Sequence, residues 1–298
     1  MKSALKKMIC PTYTIAKLMG LAQLKLHYVA CHCYNPIVVY TMGKVGTTTL
    51  VQSFERNLTR TPIYHVHTLD HERIRKMEQL YRRLFPSLHT IHSHLLSSLF
   101  LQKTMLKQPQ HSVRWKIITL VRDPMARNVS AFFQMLDKEY ADQGFRQRIE
   151  AGGDPSLLSD MITFFLEHWV HSNALLWFDR ELKRNLDVDV LSGNFPHEQG
   201  YRVVNGKHCD VLVMRIEDLS RCVDQAINEY LGVRLGELAR GQSATKKYYS
   251  KTYRQFCNEL VIPGETLDEI YQSRMVRHFY RDDEVEGFRS RWERSSRL

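Results

Sequence analysis

A short glycine-containing turn between an apolar strand and a helix constrains this chain more than any other feature. It lies in residues 37–50, IVVYTMGKVGTTTL. Gly43 and Gly46 allow the backbone to turn sharply and bring its N–H groups close to an anion. The helix that follows begins with three threonines, and its N-terminal dipole favours negative charge. The segment therefore predicts a phosphate-binding loop.

The spacing of this loop separates it from the ATP-binding motif that it superficially resembles. A Walker A motif has four residues between its glycines and ends in Gly-Lys-Ser/Thr, whereas two residues separate Gly43 from Gly46. This difference in spacing argues against ATP hydrolysis. Lys44 adds a mobile positive charge, which suits an anion-binding site. The predicted binding residues are Gly43, Lys44, Val45, Gly46, Thr47, Thr48 and Thr49.

A second strand-to-helix junction lies in residues 116–133, KIITLVRDPMARNVSAFF. Asp123 can cap the helix and Pro124 suits its first position. Arg122 at the strand end and Ser130 on the helix could both contact one phosphate, the arginine through its planar fork. Each of these residues also has an alternative role that involves no phosphate. Arg122 could form a helix-capping pair with Asp123, and Ser130 could be a small residue packed within the helix. Arg127 could face either the ligand or the solvent.

The two junctions, in this order, resemble the two cofactor loops of sulfotransferases that use 3′-phosphoadenosine-5′-phosphosulfate (PAPS). The motifs that carry the resemblance are Gly-Lys-x-Gly-Thr-Thr-Thr and Arg-Asp-Pro-x-x-Arg-x-x-Ser. Two histidine pairs, in residues 64–67 (YHVH) and 91–94 (IHSH), look like those of Golgi-type carbohydrate sulfotransferases. Residues 209–219 resemble the late strand and Arg-x-Glu-Asp-Leu turn of many sulfotransferases.

The C-terminal part resembles another related family. Residues 244–250 (ATKKYYS) are similar to the Asn-Lys-Trp-Tyr-Ser signature of the NKWYS family of capsular polysaccharide synthesis proteins. Lys247, Tyr249 and Ser250 fit the signature, whereas Tyr248 replaces its tryptophan and the asparagine is absent. These resemblances cover roughly residues 35 to 295. They imply a transferase that takes PAPS as co-substrate, needs no metal, and sulfates a carbohydrate or other hydroxyl acceptor.

Alternating apolar and helical patterns predict an α/β fold with a mostly parallel central sheet and helices on both faces. The resemblance implies a P-loop-like three-layer sandwich, with residues 35–298 as one sulfotransferase-like domain. A long amphipathic helix is predicted over 156–184. The predicted strands are 36–42, 62–67, 88–94, 115–121 and 209–214.

Ligands of such sheets bind at the carboxyl ends of the strands, where Lys44, His94 and Arg122 are expected. Lys44 would stabilise the leaving oxygen in sulfuryl transfer. Histidine suits the base because its ordinary pKa lies near neutral pH. His94 is the first candidate because it is predicted to end a strand, as the base does in the related enzymes, with His92 on the same strand face.

Other assignments at the site remain open in the sequence. His65 and His67 are alternative bases, and the acidic residues Asp70 and Glu72 could also serve. Lys247 and Tyr249 could close over the nucleotide, with the tyrosine on the adenine, or could form a solvated basic turn.

A net charge of +10 suits a polyanionic ligand but does not identify it. The six cysteines form no paired framework, which indicates a reducing compartment and a cytoplasmic protein. His27, Cys31, His32 and Cys33 lack the second ligand pair of a structural zinc site, so no metal is predicted.

Residues 1–34 form a basic, amphipathic arm that begins with Lys2, Lys6 and Lys7. Lys17 and Lys25 interrupt its apolar stretch, so no transmembrane span is predicted. Two interpretations stay open, a helix lying on a membrane surface and a helix packed on the domain.

Two other functions compete with sulfuryl transfer. One is a nucleotide-dependent kinase or NTPase, which would need a Walker A lysine and a clear Mg²⁺-binding aspartate. The sequence shows neither of these features. A non-catalytic module for anionic glycans would fit the charge equally well. Nucleic acid is not an expected partner, because no nucleic-acid-binding motif accompanies the basic residues.

Overall fold

One sheet of five strands forms the centre of the computed structural model, which describes residues 13–30, 36–84, 92–106, 114–235 and 247–293. The strand order is β2-β1-β3-β5-β4, in which only β4 is antiparallel to its neighbour. The predicted α/β class with a mostly parallel sheet is therefore confirmed. The strands are β1 (Ile37–Tyr40), β2 (Ile63–Val66), β3 (Trp115–Val121), β4 (Tyr201–Asn205) and β5 (Cys209–Arg215).

Helices connect and follow these strands in the described residues. The first half of the chain contains α1 (Tyr13–Ala30), α2 (Thr47–Asn57), α3 (His71–Leu84), α4 (Ser93–Leu101), α5 (Pro124–Met135) and α6 (Phe145–Ala151). The second half contains α7 (Leu157–His168), α8 (Ser172–Leu175), α9 (Arg184–Leu186), α10 (Leu219–Leu231), α11 (Ser250–Glu259), α12 (Gly264–Tyr271), α13 (Arg274–Phe279) and α14 (Asp282–Trp292). Two π-helical turns (Gln102–Leu106 and Asp179–Lys183) and two 3₁₀ turns (Ala141–Gln143 and Ile216–Asp218) complete the set.

The central strands are buried, as their nearly continuous apolar sequences predict. Every residue of β1 and β5 is buried, and β3 is buried except at Lys116. β1 pairs in parallel with both β2 and β3, so that Ile37 lies opposite Ile63 and Lys116. The carboxyl ends of these three strands therefore meet at one edge of the sheet, where both predicted phosphate loops begin.

The predicted strand at 88–94 is wrong in its described part. Residues 85–91 lie outside the described residues, His92 immediately precedes α4, and His94 lies in the first turn of that helix. The apolar residues of α4 recur at helical spacing, with Leu95 and Phe100 buried. His92 and His94 therefore do not share a strand face.

The single helix predicted over 156–184 is also wrong. α7 ends at His168, and Trp169 is extended, with φ −80° and ψ 125°. The aromatic residues pack in two directions, because the Phe165 ring lies 5.1 Å from Phe132 and the Trp177 ring lies 5.3 Å from Tyr40. One straight helix could not make both contacts, so the chain breaks between them.

The edge strand β4 was not predicted. Its burial alternates after Tyr201, as expected for a strand with one face towards solvent. β4 pairs antiparallel with β5, joining Tyr201 to Met214 and Asn205 to Asp210. The short polar turn between the two strands makes this pairing local.

The helix of the N-terminal arm packs on the rest of the chain along one side. The Tyr28 ring stacks on Trp115 with centroids 6.0 Å apart, and Lys17 forms a 2.8 Å ion pair with Glu78. Its other side exposes apolar residues, including Leu18 and Leu26. In the described part of the chain, no helix has the length and apolar character needed to cross a bilayer.

Candidate functional site

A cavity of about 420 Å³ opens where the strands end. Its volume lies in the range typical of small-molecule and cofactor sites. Most of the predicted site residues meet here although they come from separate parts of the sequence. The lining residues are Gly43, Lys44, Gly46, Thr47, Thr48, Thr49, His65, His67, His94, Arg122, Ser130, Gln134, Lys247, Tyr249 and Tyr253.

The glycine turn has the geometry of an anion-binding loop. Gly46 precedes α2 with φ 79°, and no side chain caps the helix. A Cβ at Gly46 would lie 2.4 Å from Cδ1 of Ile216, so only glycine fits there. The Thr47 hydroxyl lies 2.9 Å from that of Thr41, within the protein. The N–H groups of the first helical turn are therefore free of side-chain caps and can bind an anion.

Lys44 itself adopts the left-handed backbone conformation, with φ 74°. This conformation costs a non-glycine residue about 1–2 kcal/mol, so the fold holds Lys44 there against its local preference. Such strained residues concentrate at functional sites. Val45, the next residue, is buried and does not contribute to the cavity lining.

Two arginines of the second junction fix the first loop. Arg122 donates from Nη1 to the Lys44 carbonyl at 2.9 Å, and Arg127 donates from Nε to the Gly43 carbonyl at 3.0 Å. Both bonds turn loop carbonyls towards the arginines, which leaves the loop N–H groups for an anion. The sequence left Arg127 undecided between ligand and solvent, and the structure places it against the loop.

Asp123 belongs to the support behind this site. Its side chain accepts hydrogen bonds from the N–H groups of Met125 and Ala126, as the capping prediction requires, and from Tyr271. Its own N–H donates to Glu217 at 2.9 Å. Burial raises the pKa of the Asp123 carboxyl and that of Glu217. The Arg-x-Glu-Asp-Leu turn thus holds the arginine junction in position.

A group of cations surrounds the cavity, and in the described structure no salt bridge joins any of them to a carboxylate, although Asp137 and Glu139 lie near Lys138. Burial and the nearby charges of Lys247, Arg122, Arg127 and Lys138 lower the pKa of Lys44 to about 8. Burial and Arg122 lower the pKa of Arg127 to about 10. Among the described residues, none of these five cations has a carboxylate within salt-bridge distance. Their mutual repulsion is relieved most directly by a bound polyanion.

Three histidines form a second chemical group in the same cavity. His65 lies on β2 and His67 just after it, and His94 reaches them from α4. Their ring centroids are 4.3 to 4.8 Å apart. His92 lies outside this group, because it is exposed, stacks on Tyr81 and has its centroid 6.4 Å from that of His94.

Backbone carbonyls orient two of these rings. Nδ1 of His67 lies 2.8 Å from the Thr41 carbonyl, and Nδ1 of His94 lies 3.1 Å from the His65 carbonyl. A carbonyl only accepts, so each Nδ1 carries its proton and each Nε2 keeps a lone pair. Burial lowers the pKa of His65 to about 2 and that of His67 to about 4, and it also lowers the pKa of His94. All three are therefore neutral near pH 7.

The segment after residue 246 closes one side of the cavity. Lys247 and Tyr249 both line it, as predicted, but residues 244–246 of the signature lie outside the described residues. Tyr249 is buried and its ring centroid lies 5.3 Å from that of Phe133. Packing against Phe133 thus fixes the ring at the cavity wall.

Several residues of the site were missed in the sequence. Gln134 lies four residues after Ser130 on α5, and this helical spacing could have placed both on one face. Tyr253 has the same four-residue relation to Tyr249. Lys138, which contributes charge to the cavity, follows the helix and carries no local signal. Cys31, His32 and Cys33, for which no metal site was predicted, lie outside the described residues.

Comparison with known proteins relates part of the chain to one family. The sequence model of the NKWYS family, described as "Putative capsular polysaccharide synthesis protein", matches residues 157–281. No curated protein and no solved structure matches the chain. The predicted similarity to this family is confirmed over that range, which includes Lys247 and Tyr249. The range excludes both phosphate loops and the three histidines, so the resemblance to PAPS-dependent sulfotransferases stays a prediction.

Proposed function

We propose that this protein is a sulfotransferase that moves a sulfuryl group from PAPS to a hydroxyl of a carbohydrate or polysaccharide. The observation that carries the proposal is the meeting of unpaired cations, an uncapped helix N-terminus and neutral histidines in one cavity. The cations fit a ligand with two separate phosphate groups. The similarity to a capsular polysaccharide synthesis family supports a polysaccharide as acceptor.

The proposal assigns each phosphate of PAPS to one junction. The loop from Gly43 to Thr49 holds the 5′-phosphosulfate, and Arg122 with Ser130 holds the 3′-phosphate. Tyr249 and Tyr253 offer ring surface at the cavity wall for the adenine. A P-loop-like three-layer arrangement is part of the same proposal.

The transfer itself requires a base and a partner for the leaving group. The acceptor oxygen attacks sulfur, a new S–O bond forms, and the bond from sulfur to the bridging phosphate oxygen breaks. Lys44 stabilises the negative charge that develops on that leaving oxygen. The acceptor proton passes to a neutral imidazole of the histidine group, with His94 the first candidate.

The kinase or NTPase alternative fits the cavity less well. No carboxylate lines the described cavity, although such enzymes hold Mg²⁺ with one. Asp123, the acidic residue closest to the loops in sequence, bonds to the backbone of α5 and to Tyr271 instead. The other alternative is a non-catalytic glycan-binding module. Such a module would transfer no sulfuryl group, so observed transfer in an assay would exclude it.

Location and further partners belong to the proposal as well. The described cysteines Cys209, Cys222 and Cys257 are free thiols, which supports a reducing compartment such as the cytoplasm. The exposed apolar side of α1 supports peripheral contact with a membrane surface through the N-terminal arm.

Ligand preference tests the proposal directly. In thermal-shift titrations without Mg²⁺, 3′,5′-adenosine bisphosphate should stabilise the protein more than 5′-AMP, ADP or ATP, because it alone supplies the 3′-phosphate. Arg122→Gln should weaken bisphosphate binding by about 2 kcal/mol, or roughly 30-fold in Kd, and should weaken 5′-AMP binding less, because only the bisphosphate also loses a contact to its 3′-phosphate.

The exposed Arg277 on α13 offers a control with the same change of charge. Arg277→Gln should bind the bisphosphate as the parent protein does. Equal binding of 5′-AMP and the bisphosphate by the parent protein would contradict the assignment of a separate 3′-phosphate site.

The lowered pKa of Lys44 predicts a pH dependence of anion binding. In the free protein Lys44 loses its proton as the pH rises above about 8, whereas a bound anion raises its pKa again. Binding above that pH therefore requires uptake of a proton, and Kd should rise by up to about tenfold per pH unit. Calorimetric titration of the bisphosphate from about pH 7 to about pH 10 measures this slope.

Lys44→Arg provides the matched comparison, because a guanidinium keeps its charge throughout this range. In that variant, the number of protons taken up when the bisphosphate binds above about pH 8 should be smaller by close to one. An equal slope in the parent and the variant would assign the titration to another lysine, such as Lys138.

A further inference from the structure

We propose that His65, His67 and His94 form an open binding site for a divalent transition metal, with Zn²⁺ as the best-fitting ion. The site lies in the cavity beside the glycine loop, and no acidic residue takes part in it. This inference does not depend on which nucleotide the cavity binds.

The three side chains already converge. One ring nitrogen from each lies within 4.8 Å of the other two. Zn–N bonds of about 2.0–2.1 Å in a tetrahedral site put nitrogens roughly 3.4 Å apart. Rotation of the imidazoles about their side-chain torsions is the movement that would close this difference on metal binding.

The hydrogen bonds of the rings match those of metal ligands. A ligating histidine typically donates its second ring N–H to a carbonyl or carboxylate, which fixes the ring and its tautomer. His67 and His94 make this contact through Nδ1 to the carbonyls of Thr41 and His65. Their Nε2 lone pairs are thereby left for an ion.

His65 supplies an independent observation. Its Nε2 is buried and has no hydrogen-bond partner in the described structure. Leaving a buried polar nitrogen unsatisfied costs about 1–3 kcal/mol. A metal ion shared with the other two rings would satisfy this atom.

The ligand chemistry selects the kind of ion. Neutral imidazoles suit Zn²⁺, Co²⁺, Ni²⁺ or Cu²⁺, whereas Mg²⁺ and Ca²⁺ prefer oxygen ligands.

Nearby cations oppose a metal ion unless an anion is also present. Lys138 and Arg127 place positive charge near His67. Their repulsion should weaken metal binding in the empty cavity, and an anion on the glycine loop should offset it. Metal and anion are therefore expected to bind cooperatively.

The consequence for catalysis rests on the proposed function. Three protein ligands leave a fourth position, as in catalytic zinc sites, and an oxygen bound there has a lowered pKa. With metal bound, Nε2 of His94 is no longer free to accept a proton. An acceptor hydroxyl held at the fourth position would be more acidic and would give its proton to solvent water in place of His94, which would make transfer metal-dependent.

Cobalt titration tests the site without any transfer assay. The chelator-treated protein, in excess sodium sulfate, should bind about one Co²⁺ with the intense visible absorption of tetrahedral cobalt, and Zn²⁺ should displace it. Omitting sulfate should weaken this binding. Each of His65→Gln, His67→Gln and His94→Gln should lower the Co²⁺ affinity by at least about 100-fold, because each removes a ligand.

Two other histidines provide matched controls. His92→Gln changes an exposed ring outside the cavity, and His171→Gln changes a half-buried ring whose two nitrogens are buried and have no partner in the described structure. Both variants should bind Co²⁺ as the parent protein does. Circular dichroism of each metal-free variant reports whether it folds.

The parent protein decides the proposal even if a ligand variant fails to fold. Absence of the tetrahedral Co²⁺ spectrum with and without sulfate would overturn it, and so would an equal loss of affinity in His171→Gln. Because these titrations use no nucleotide, their failure would leave the bisphosphate preference intact. Failure of that preference would likewise leave the metal site standing.

Discussion

Replacing Lys44 by alanine should lower the turnover of sulfuryl transfer by about a hundredfold or more while the protein stays folded. The reason is the loss of the positive charge beside the leaving oxygen, which corresponds to about 2.7 kcal/mol or more of the activation barrier. Turnover is measured with labelled PAPS and an acceptor found by screening glycans. The exposed Lys76 on α3 gives a control of equal charge change, and Lys76→Ala should keep parental turnover.

Lys44→Gly separates the chemical role of this residue from a structural one. Glycine adopts a φ of 74° freely, so relief of the strain should offset or exceed the greater entropy of the unfolded chain. The variant should be as stable as the parent or up to about 1 kcal/mol more stable, yet as inactive as Lys44→Ala. Lys44→Arg should restore activity only in part, since a planar guanidinium does not replace a compact ammonium.

The outcome that contradicts this role is near-normal transfer by Lys44→Ala. A loss of stability in Lys44→Gly would instead indicate that the lysine side chain holds the loop together. Denaturant unfolding of both variants, alongside the turnover measurements, distinguishes these results.

Glu181→Ala should lower the free energy of unfolding by about 3 kcal/mol or more. Glu181 is fully buried and accepts hydrogen bonds from the Thr68 hydroxyl at 2.8 Å and the Leu69 N–H at 3.0 Å. The Tyr40 hydroxyl also donates to it. Its removal would leave these buried donors unsatisfied, each at a cost of about 1–3 kcal/mol. Urea or guanidinium unfolding measures the change.

The position of Glu181 links this stability to the cavity. Tyr40 ends β1 just before the glycine loop, and Thr68 follows His67 directly. One carboxylate therefore ties together the strand ends that carry the loop and the histidines. Glu286→Ala, on the exposed side of α14, serves as control and should change stability by no more than about 0.5 kcal/mol. A change below about 1 kcal/mol in Glu181→Ala would contradict the structural role.

Some charged groups of the cavity lower the stability of the free protein. Lys44 combines a strained backbone with a lowered pKa, and Arg127 is a half-buried cation beside Arg122. Each feature destabilises the free protein. The proposed polyanion would offset both charge effects, so a ligand-binding role would account for features that lower the stability of the empty protein.

The two strand-to-loop junctions were predictable because their signals are local. Apolar runs define β1 and β3, and glycine, lysine and the Asp-Pro pair define the turns that follow. Parallel strands present their carboxyl ends at one edge, so the sequence could also place Lys44 near Arg122. The mostly parallel sheet and the helix-capping role of Asp123 follow from the same local chemistry.

The meeting of the three histidines could not be predicted from local sequence signals. His65 lies on β2 and His67 directly after it, and both were only alternative bases in the sequence; nothing there indicated that α4 would carry His94 towards them. His94 was predicted to end a strand over residues 88–94, but it lies in α4 with its neighbours Leu95 and Leu96. Their packing in the folded chain, with Leu95 buried beside Ile74, favoured the helix.

The sequence by itself determined the α/β class, the glycine loop and the arginine junction, because each depends on interactions between near neighbours in the chain. Only the tertiary structure decided the break after His168, the pairing of β4 with β5, the burial of Glu181 and the meeting of three histidines. These features arise from contacts between residues far apart in sequence, whose free energies exceed local conformational preferences.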